Sequence, residues 1–204
     1  TIEAGKSIVV YGDYDVDGIT ATSLLYRFLV KMGARVSYYI PERQSEGYGL
    51  NLEALEHIIS DGASLVITVD CGISSYDIVK AVCDRIDIII TDHHTAPPQI
   101  PPARAVINHK QPDCPYKDKN LSGVGVAFKL CQALWLRQCG EWYLDDLDIV
   151  ALGTVADVVP LVGENRIIVQ AGLKKMNELP NLGIDKLIDV AGLHDKTITA
   201  GHIG

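Results

Sequence analysis

The chain has 204 residues, of which 48% are hydrophobic and 22% are charged, and its formal net charge is −8. This composition is typical of a globular protein, and no apolar run approaches the roughly 18 residues that a membrane span requires. The acidic balance excludes a surface that coats nucleic acid non-specifically, because such affinity comes largely from Lys and Arg.

Apolar runs and helical periodicities alternate along the first 120 residues. The runs predict strands near residues 7–12, 35–40, 65–70, 86–91 and 104–108. Helices are predicted at about 19–32, 52–60 and 74–84, with Gly33 ending the first and Asn51 capping the second. This alternation predicts an α/β fold, with a mostly parallel five-stranded sheet and helices on both faces.

From about Ser122 the pattern becomes wholly helical. Helices are predicted at about 123–138, 145–156, 164–177 and 183–191. We expect one catalytic domain over residues 1–204, with an α/β portion of about 1–120 and a helical portion of about 121–204. The chain begins without a Met or a signal segment and stops abruptly, so we expect it to be a piece of a longer protein.

The five cysteines include no Cys-x-x-Cys pair, and their number is odd. This usage is typical of a reducing compartment and predicts a cytoplasmic protein. His109 and Cys114 are a weak zinc pattern, and an ordinary structural role is the favoured interpretation of both.

An acidic segment at residues 13–18 follows the first predicted strand and carries Asp13, Asp15 and Asp17. In an extended loop every second side chain points the same way, so these carboxylates can converge on hard cations. A solvated acidic turn is the alternative, because Asp and Gly are ordinary turn residues.

Further metal-competent side chains follow other predicted strands. Asp70 ends the third strand, and His93 and His94 follow the fourth. Ligands of open parallel sheets bind at the carboxyl ends of the strands, so these residues are expected to meet the acidic segment at one edge. Asp157 ends an otherwise apolar helix, where a buried carboxylate is costly unless it is paired or binds a cation; a simple cap is the alternative. The residues themselves predict a two-metal phosphoesterase.

In this order, the motifs resemble those of the DHH phosphoesterases, at residues 13–18, 69–73, 92–94 and 153–157. Flanking segments most resemble the RecJ-type single-strand-specific exonucleases of that family, at residues 40–43, 46–50, 121–130 and 164–166. The resemblance spans almost the whole chain. It implies a hydrolase that acts as a 5′-to-3′ exonuclease on single-stranded DNA in repair and recombination, with water activated by two metal ions.

The resemblance also implies the ligands of two divalent cations, Mn²⁺ with Mg²⁺ as the other candidate. Asp70 would bridge the two ions. Asp15 would be the other ligand of the first ion, and Asp13 would be either a ligand or a supporting partner of the acidic segment. The second ion would be held by three further residues, Asp17, His93 and Asp157. His94 would face the scissile phosphate, so Asp70, His93 and His94 are the expected catalytic residues.

Four residues are candidates for binding substrate phosphates together with His94. Arg43 and Arg166 are candidates to clamp nucleotide phosphates, with ordinary surface arginines as the alternative. Ser122 and Gly123 open a helix whose free amides are expected to hold another phosphate. Tyr11 stands where many family members carry a histidine ligand, which leaves the affinity for the first ion open.

Single-stranded DNA is the partner that the resemblance implies, and no membrane is expected. DHH-associated and oligonucleotide-binding domains follow this core in RecJ-type relatives, and a single-strand-binding protein or a helicase is a further expected partner. Three alternatives stay open. They are a DHH phosphodiesterase or pyrophosphatase for short substrates, a non-enzymatic scaffold, and a haloacid-dehalogenase-like phosphatase in which Asp15 would form an aspartyl-phosphate.

Overall fold

Five parallel strands form one sheet in the computed structural model, which describes residues 1–43, 46–47 and 49–204. The strands are β1 (Ser7–Tyr11), β2 (Arg35–Tyr39), β3 (Leu65–Val69), β4 (Asp87–Thr91) and β5 (Ala105–Ile107). They lie in the order β2-β1-β3-β4-β5 with parallel pairing throughout. The predicted fold class is confirmed. Tyr48, in the motif at residues 46–50, lies outside the described residues.

Seven α-helices surround the sheet or follow it in the described part of the chain. They are α1 (Val16–Lys31), α2 (Leu52–Ser60), α3 (Tyr76–Val82), α4 (Gly123–Cys139), α5 (Leu147–Ala156), α6 (Gly163–Glu178) and α7 (Leu182–Val190). The predicted cap of α2 is confirmed, since Ala54 N donates to Asn51 Oδ1 at 3.1 Å. Gly33 follows α1 with φ of +75°, a conformation that favours glycine. Among the described helices, none is both long and apolar enough to cross a membrane.

Helix α1 begins at Val16, one turn before the predicted start at Ile19. The reason is its N-cap, because Gly18 N donates to Asp15 Oδ1 at 2.9 Å and satisfies one of the free amides of the first turn. Asp17 therefore stands inside a helix. The prediction that the acids of this segment alternate along an extended loop is wrong, and a strand-turn-helix corner brings them together instead.

The two faces of the sheet are covered by different helices, as predicted. Ile8 and Val10 of β1 pack in one core cluster with α1, α4 and α5, whereas Val9 and Tyr11 pack in a second cluster with α2 and α3. Every residue of β3 is buried, which agrees with its continuous apolar run. Burial of each large apolar side chain, such as Phe28 of α1, contributes roughly 1.5–3 kcal/mol.

The strand order places the predicted ligands at one point of the sheet. Strand β2 lies next to β1 on one side, and β3 lies next to β1 on the other side. The chain therefore passes from β2 across β1 to reach β3. The carboxyl ends of β1 and β3 therefore flank the position where the order reverses, which is where open α/β sheets bind ligands. The acidic segment follows β1, and Asp70 follows β3.

Candidate metal centre

The three acids after β1 differ in exposure and in their hydrogen bonds. Asp13 is buried, and its Oδ1 accepts from Tyr14 N at 2.7 Å. Asp15 is exposed and caps α1. Asp17 is buried and accepts two amides from the start of α4, with Gly123 N at 2.6 Å from Oδ2 and Val124 N at 2.9 Å from Oδ1.

Asp70 follows β3 in a left-handed backbone conformation, with φ of +60°. Asp and Asn tolerate this conformation better than most L-residues do, because their short polar side chains can hydrogen-bond locally. Asp70 N donates to Thr91 O at 3.0 Å, which anchors the residue to β4. The buried carboxylate lies with its Oδ1 at 3.1 Å from His93 Nε2.

Asp92 organises the loop after β4, a role that sequence reasoning missed. Its Oδ1 accepts from His93 N at 2.7 Å and from His94 N at 3.0 Å, and it lies 2.8 Å from His94 Nδ1. Its Oδ2 accepts from Ile73 N at 2.8 Å. The sequence signal for this role is an acid directly before two histidines at a strand end, where an Asp side chain readily accepts the following amides.

His93 lies between the acids of three different elements. Its Nε2 lies 3.1 Å from Asp70 Oδ1 and 3.8 Å from Asp17 Oδ2, and its Nδ1 lies 3.7 Å from Asp157 Oδ2. Asp157 is the C-cap of α5, as its position in the sequence predicts. The end of the apolar helix therefore delivers its carboxylate to the sheet edge.

All seven residues predicted for the centre come together. Their ligand atoms lie within 4.8 Å of one another in three overlapping groups: Asp13, Asp15 and Asp70; Asp17, His93 and Asp157; and Asp70, His93 and His94. Asp70 and His93 each belong to two groups. The arrangement joins the acidic corner to the histidine loop through shared side chains.

The donor atoms of this cluster fit divalent cations. Within the described residues, four buried atoms of the predicted ligands have no hydrogen-bond partner: Asp13 Oδ2, Asp70 Oδ1, His93 Nδ1 and Asp157 Oδ2. Buried polar atoms normally find a partner, so four such atoms in one cluster need an explanation. Mixed carboxylate and imidazole donors suit a transition metal such as Mn²⁺, and carboxylates alone also suit Mg²⁺.

Two glycines allow helices α4 and α5 to approach the acids closely. A Cβ atom on Gly123 would lie 2.6 Å from Asp70 Cγ, and one on Gly153 would lie 3.2 Å from Asp17 Oδ1 and 2.8 Å from Val124 Cγ1. Real Cβ atoms essentially never come within 3.0 Å of another heavy atom. The absence of a side chain at these positions is thus a geometric requirement of the cluster.

Burial raises the pKa of Asp70 to about 9 and that of Asp17 to about 8, and the charges of neighbouring acids act in the same direction. Burial also raises the pKa of Asp13 and of Asp157. Burial opposes ionisation of Asp92 too, but its hydrogen bonds from His94 and Ile73 outweigh that effect and lower its pKa. Cations that bind here must therefore displace protons from carboxyl groups.

The candidate phosphate-binding arginines lie in different surroundings. The guanidinium of Arg43 is exposed and lies over the ring of Tyr14, 5.3 Å from its centroid, so it stands beside the acidic corner. Arg166 is exposed on α6. Within the described residues, no hydrogen bond or ion pair joins Arg166 to the metal-centre residues.

The start of α4 does not present free amides to a phosphate, so the prediction for Ser122 and Gly123 is wrong. Gly123 N and Val124 N donate to Asp17, and Gly125 N donates to Ser122 Oγ at 3.2 Å. Ser122 is fully buried, with its hydroxyl 3.1 Å from that of Thr154. The amides hold a carboxylate of the chain itself.

The side chain of Tyr11 is part of the core. Its hydroxyl donates to Gly49 O at 3.2 Å, and its ring stacks on Tyr39 at 5.2 Å between centroids. The side chain is fully buried in the core cluster beside α2 and α3.

Comparisons with known proteins agree with these motifs. The DHH family, N-terminal domain, matches residues 7–154. The single-stranded-DNA-specific exonuclease RecJ of Bacillus subtilis (strain 168) is 46% identical over 192 residues, which are 94% of this chain and 24% of that protein. The chain thus spans about a quarter of the length of this relative.

Solved structures share the fold. A crystal structure of exonuclease RecJ bound to manganese aligns with a TM-score of 0.89 and 36% identity, over 99% of this chain and 51% of that chain. A structure of RecJ from Thermus thermophilus in complex with Mg²⁺ aligns with a TM-score of 0.69 and 33% identity, over 99% of this chain and 25% of that chain.

Proposed function

Because this chain belongs to the DHH family, we propose that it is the metal-dependent catalytic core of a single-strand-specific DNA exonuclease. The observation that carries the proposal is the convergence of Asp13, Asp70, His93 and Asp157, each of which has a buried ligand atom without a hydrogen-bond partner in the described part of the chain. The similarity to RecJ exonucleases supports DNA as the substrate.

Two cations are proposed, and their ligand sets have one residue in common. Asp13, Asp15 and Asp70 would hold the first, and Asp17, His93 and Asp157 would hold the second, with Asp70 shared between them. When bound, such ions activate water as the nucleophile and neutralise the charge that develops on the attacked phosphate.

The side chains of the protein supply order around this chemistry. Asp92 holds the His94 ring in one orientation at the half-exposed rim of the centre, where a phosphodiester would enter. Asp17 stays in place through the two amides of α4, whether or not a cation is bound. Arg43 lies over the ring of Tyr14, the residue after Asp13, and is proposed to contact a substrate phosphate.

The 5′-to-3′ direction, the release of mononucleotides and a role in repair and recombination are proposed from the resemblance. So are further domains of the same protein and a single-strand-binding protein or helicase as partners. The net charge of −8 gives the chain little non-specific affinity for DNA, so the main basic grip is proposed to lie in those other parts. All five thiols are free, which agrees with the proposed cytoplasmic location.

The experiment is hydrolysis of labelled oligodeoxynucleotides by the 204-residue chain with Mn²⁺. We expect a 5′-labelled single strand to release labelled mononucleotide early, a 3′-labelled strand to release it last, and a duplex to resist. Asp70→Asn should abolish the activity. The matched control is Asp195→Asn, which removes an exposed acid outside the centre and should leave the rate unchanged.

The principal alternative is a DHH phosphodiesterase for very short substrates. Cleavage of dinucleotides or cyclic dinucleotides without cleavage of the longer strand would favour it and contradict the exonuclease proposal. Membership of the DHH family explains Asp70, His93 and Asp157 together. The haloacid-dehalogenase alternative gives a role to Asp15 alone, so it is not proposed.

A further inference from the structure

A cavity of about 290 Å³ lies beside the metal centre, between the edge strand β5 and helix α4. Val106 and Ile107 of β5, together with Leu121 and Val126, contribute apolar side chains to its lining. Asn108 and His109 are buried polar residues that line it next to these apolar residues. Small-ligand sites typically combine apolar walls with a few placed polar groups, and this cavity has that composition.

The side chain of His109 is buried in the wall of this cavity. Its side chain lies in a residue that is 6% exposed, and neither ring nitrogen has a hydrogen-bond partner within the described residues. Its main chain is fixed, because the Lys119 ammonium donates to His109 O. Burial lowers the pKa of His109, which keeps the imidazole neutral at neutral pH. A neutral imidazole offers one donor and one acceptor.

The cavity is joined to the metal centre by two hydrogen bonds. Asp92 N donates to Ile107 O at 3.1 Å, and Asn108 Nδ2 donates to His94 O at 2.9 Å. Asn108 lines the cavity and is itself buried. The wall of the cavity is thus continuous with the loop that carries the predicted catalytic histidines.

We propose that the cavity binds a nucleobase and that His109 hydrogen-bonds the edge of that base. This inference rests on the proposed function, since it places the base of a nucleotide whose phosphate occupies the metal centre. The apolar walls suit the flat faces of a base. The imidazole can exchange its tautomers and so accept from, or donate to, different base edges, which suits an enzyme that must process any sequence.

A metal site at His109 has less support. Cys114 lines the same cavity, but among the described residues neither side chain belongs to a group of three potential metal ligands. Structural zinc normally takes four ligands.

The first test uses the wild-type chain and does not depend on catalysis. Long-range ¹H–¹⁵N spectra would follow the ring nitrogens of His109 during titration with dAMP, dTMP and deoxyribose 5-phosphate in the presence of Mg²⁺. We expect both nucleotides to shift these resonances and the sugar phosphate, which lacks a base, to leave them unchanged. Equal shifts with all three ligands, no shift at saturating nucleotide, or no nucleotide binding at all would overturn the proposal.

The second test separates the substrate strand from free nucleotide as the source of the base. His109→Leu removes both nitrogens, and His109→Gln retains one donor and one acceptor. We expect the leucine variant to raise KM for a single strand about tenfold, the usual effect of one lost hydrogen bond, and the glutamine variant to restore most of it. A strand with abasic residues at its 5′ end should respond to neither substitution.

The control for these variants is His57→Leu, which changes a histidine whose side chain is 75% exposed on α2. An equal rise in KM for normal and abasic strands would refute base recognition by His109. Binding of free nucleotides with no effect on strand KM would refute the substrate strand as the source. If the chain cleaves no strand, the proposed function fails, while the shifts of His109 still decide the base site.

Discussion

Asp70 provides a test of the electrostatics of the metal-free centre. Burial, followed by the charge of Asp15, raises its pKa to about 9. Asn has nearly the same shape but does not ionise, and it tolerates the φ of +60° at this position, where Ala would add strain. We therefore expect Asp70→Asn to stabilise the protein without divalent cations, while it abolishes stabilisation by Mn²⁺.

The size of the effect follows from proton linkage. An unfolded chain ionises Asp70 above its ordinary pKa of 3.8, whereas the folded chain holds the proton up to a pKa of about 9. Wild-type stability is therefore lost as the pH rises from 3.8 to about 9, by about 1.4 kcal/mol per pH unit. The variant lacks this loss, so its advantage has an upper limit of about 2 kcal/mol at pH 5 and about 4 kcal/mol at pH 7.

The assay is urea denaturation in EDTA at pH 5, 6, 7 and 8, with wild type, Asp70→Asn and Asp195→Asn measured side by side. The exposed control should follow wild type at every pH. A difference between Asp70→Asn and wild type that does not grow with pH, or a variant less stable than wild type at pH 7, would refute the reasoning. Added Mn²⁺ should raise the stability of wild type and of Asp195→Asn but not that of Asp70→Asn, because ligand binding stabilises only a protein that binds it.

Three further substitutions test separate features. Gly123→Ala places a methyl group against the Asp70 carboxylate and should weaken Mn²⁺ binding in calorimetry by about 10–100-fold; Gly183→Ala, which meets open space, should not. Asp92→Asn places an amide donor among groups that donate to Asp92 and removes the charged partner of His94, so it should lower the Tm and slow single-turnover cleavage by about 10–100-fold; a wild-type rate would contradict its proposed positioning role. Val158→Gly relieves a β-branched residue at φ of +58° and should add about 1 kcal/mol in thermal unfolding, whereas Val190→Gly in α7 should destabilise.

The sheet could be predicted from local sequence because its central strands are buried on both faces. Each residue of β3 is buried, so its apolar run is continuous, and the predicted bounds differ from the observed ones by one residue. The positions of the predicted ligands could also be inferred from the sequence, because parallel strands fix the sheet edge at which Asp70 and His93 emerge. The position of a residue at the end of a strand therefore predicts most of the residues that meet at the centre.

Contacts between residues distant in sequence could not be read in this way. The cap formed by Asp15 moves the start of α1, because a carboxylate can either cap a helix or lie in a loop and the local pattern allows both. The partner of the α4 amides is 106 residues away from Gly123 along the chain, so the helix start looked free. The cavity beside β5 is lined by residues of β5, of α4 and of the segment between them, and the hydrophobic periodicity of the sequence does not show how these parts meet.

The bond between Asp17 and α4 also shows why the change from α/β to helical sequence near residue 121 does not divide the centre. Leu24 and Phe28 of α1 share a core cluster with Val124 of α4 and Val150 of α5. A helix start favours a carboxylate through its free amides and its dipole, yet burial still raises the pKa of Asp17 to about 8. The helical portion thus positions this acid without fully stabilising its charge. A bound cation would supply the remaining stabilisation, so the residues of the proposed metal centre come from the sheet edge and the helices together.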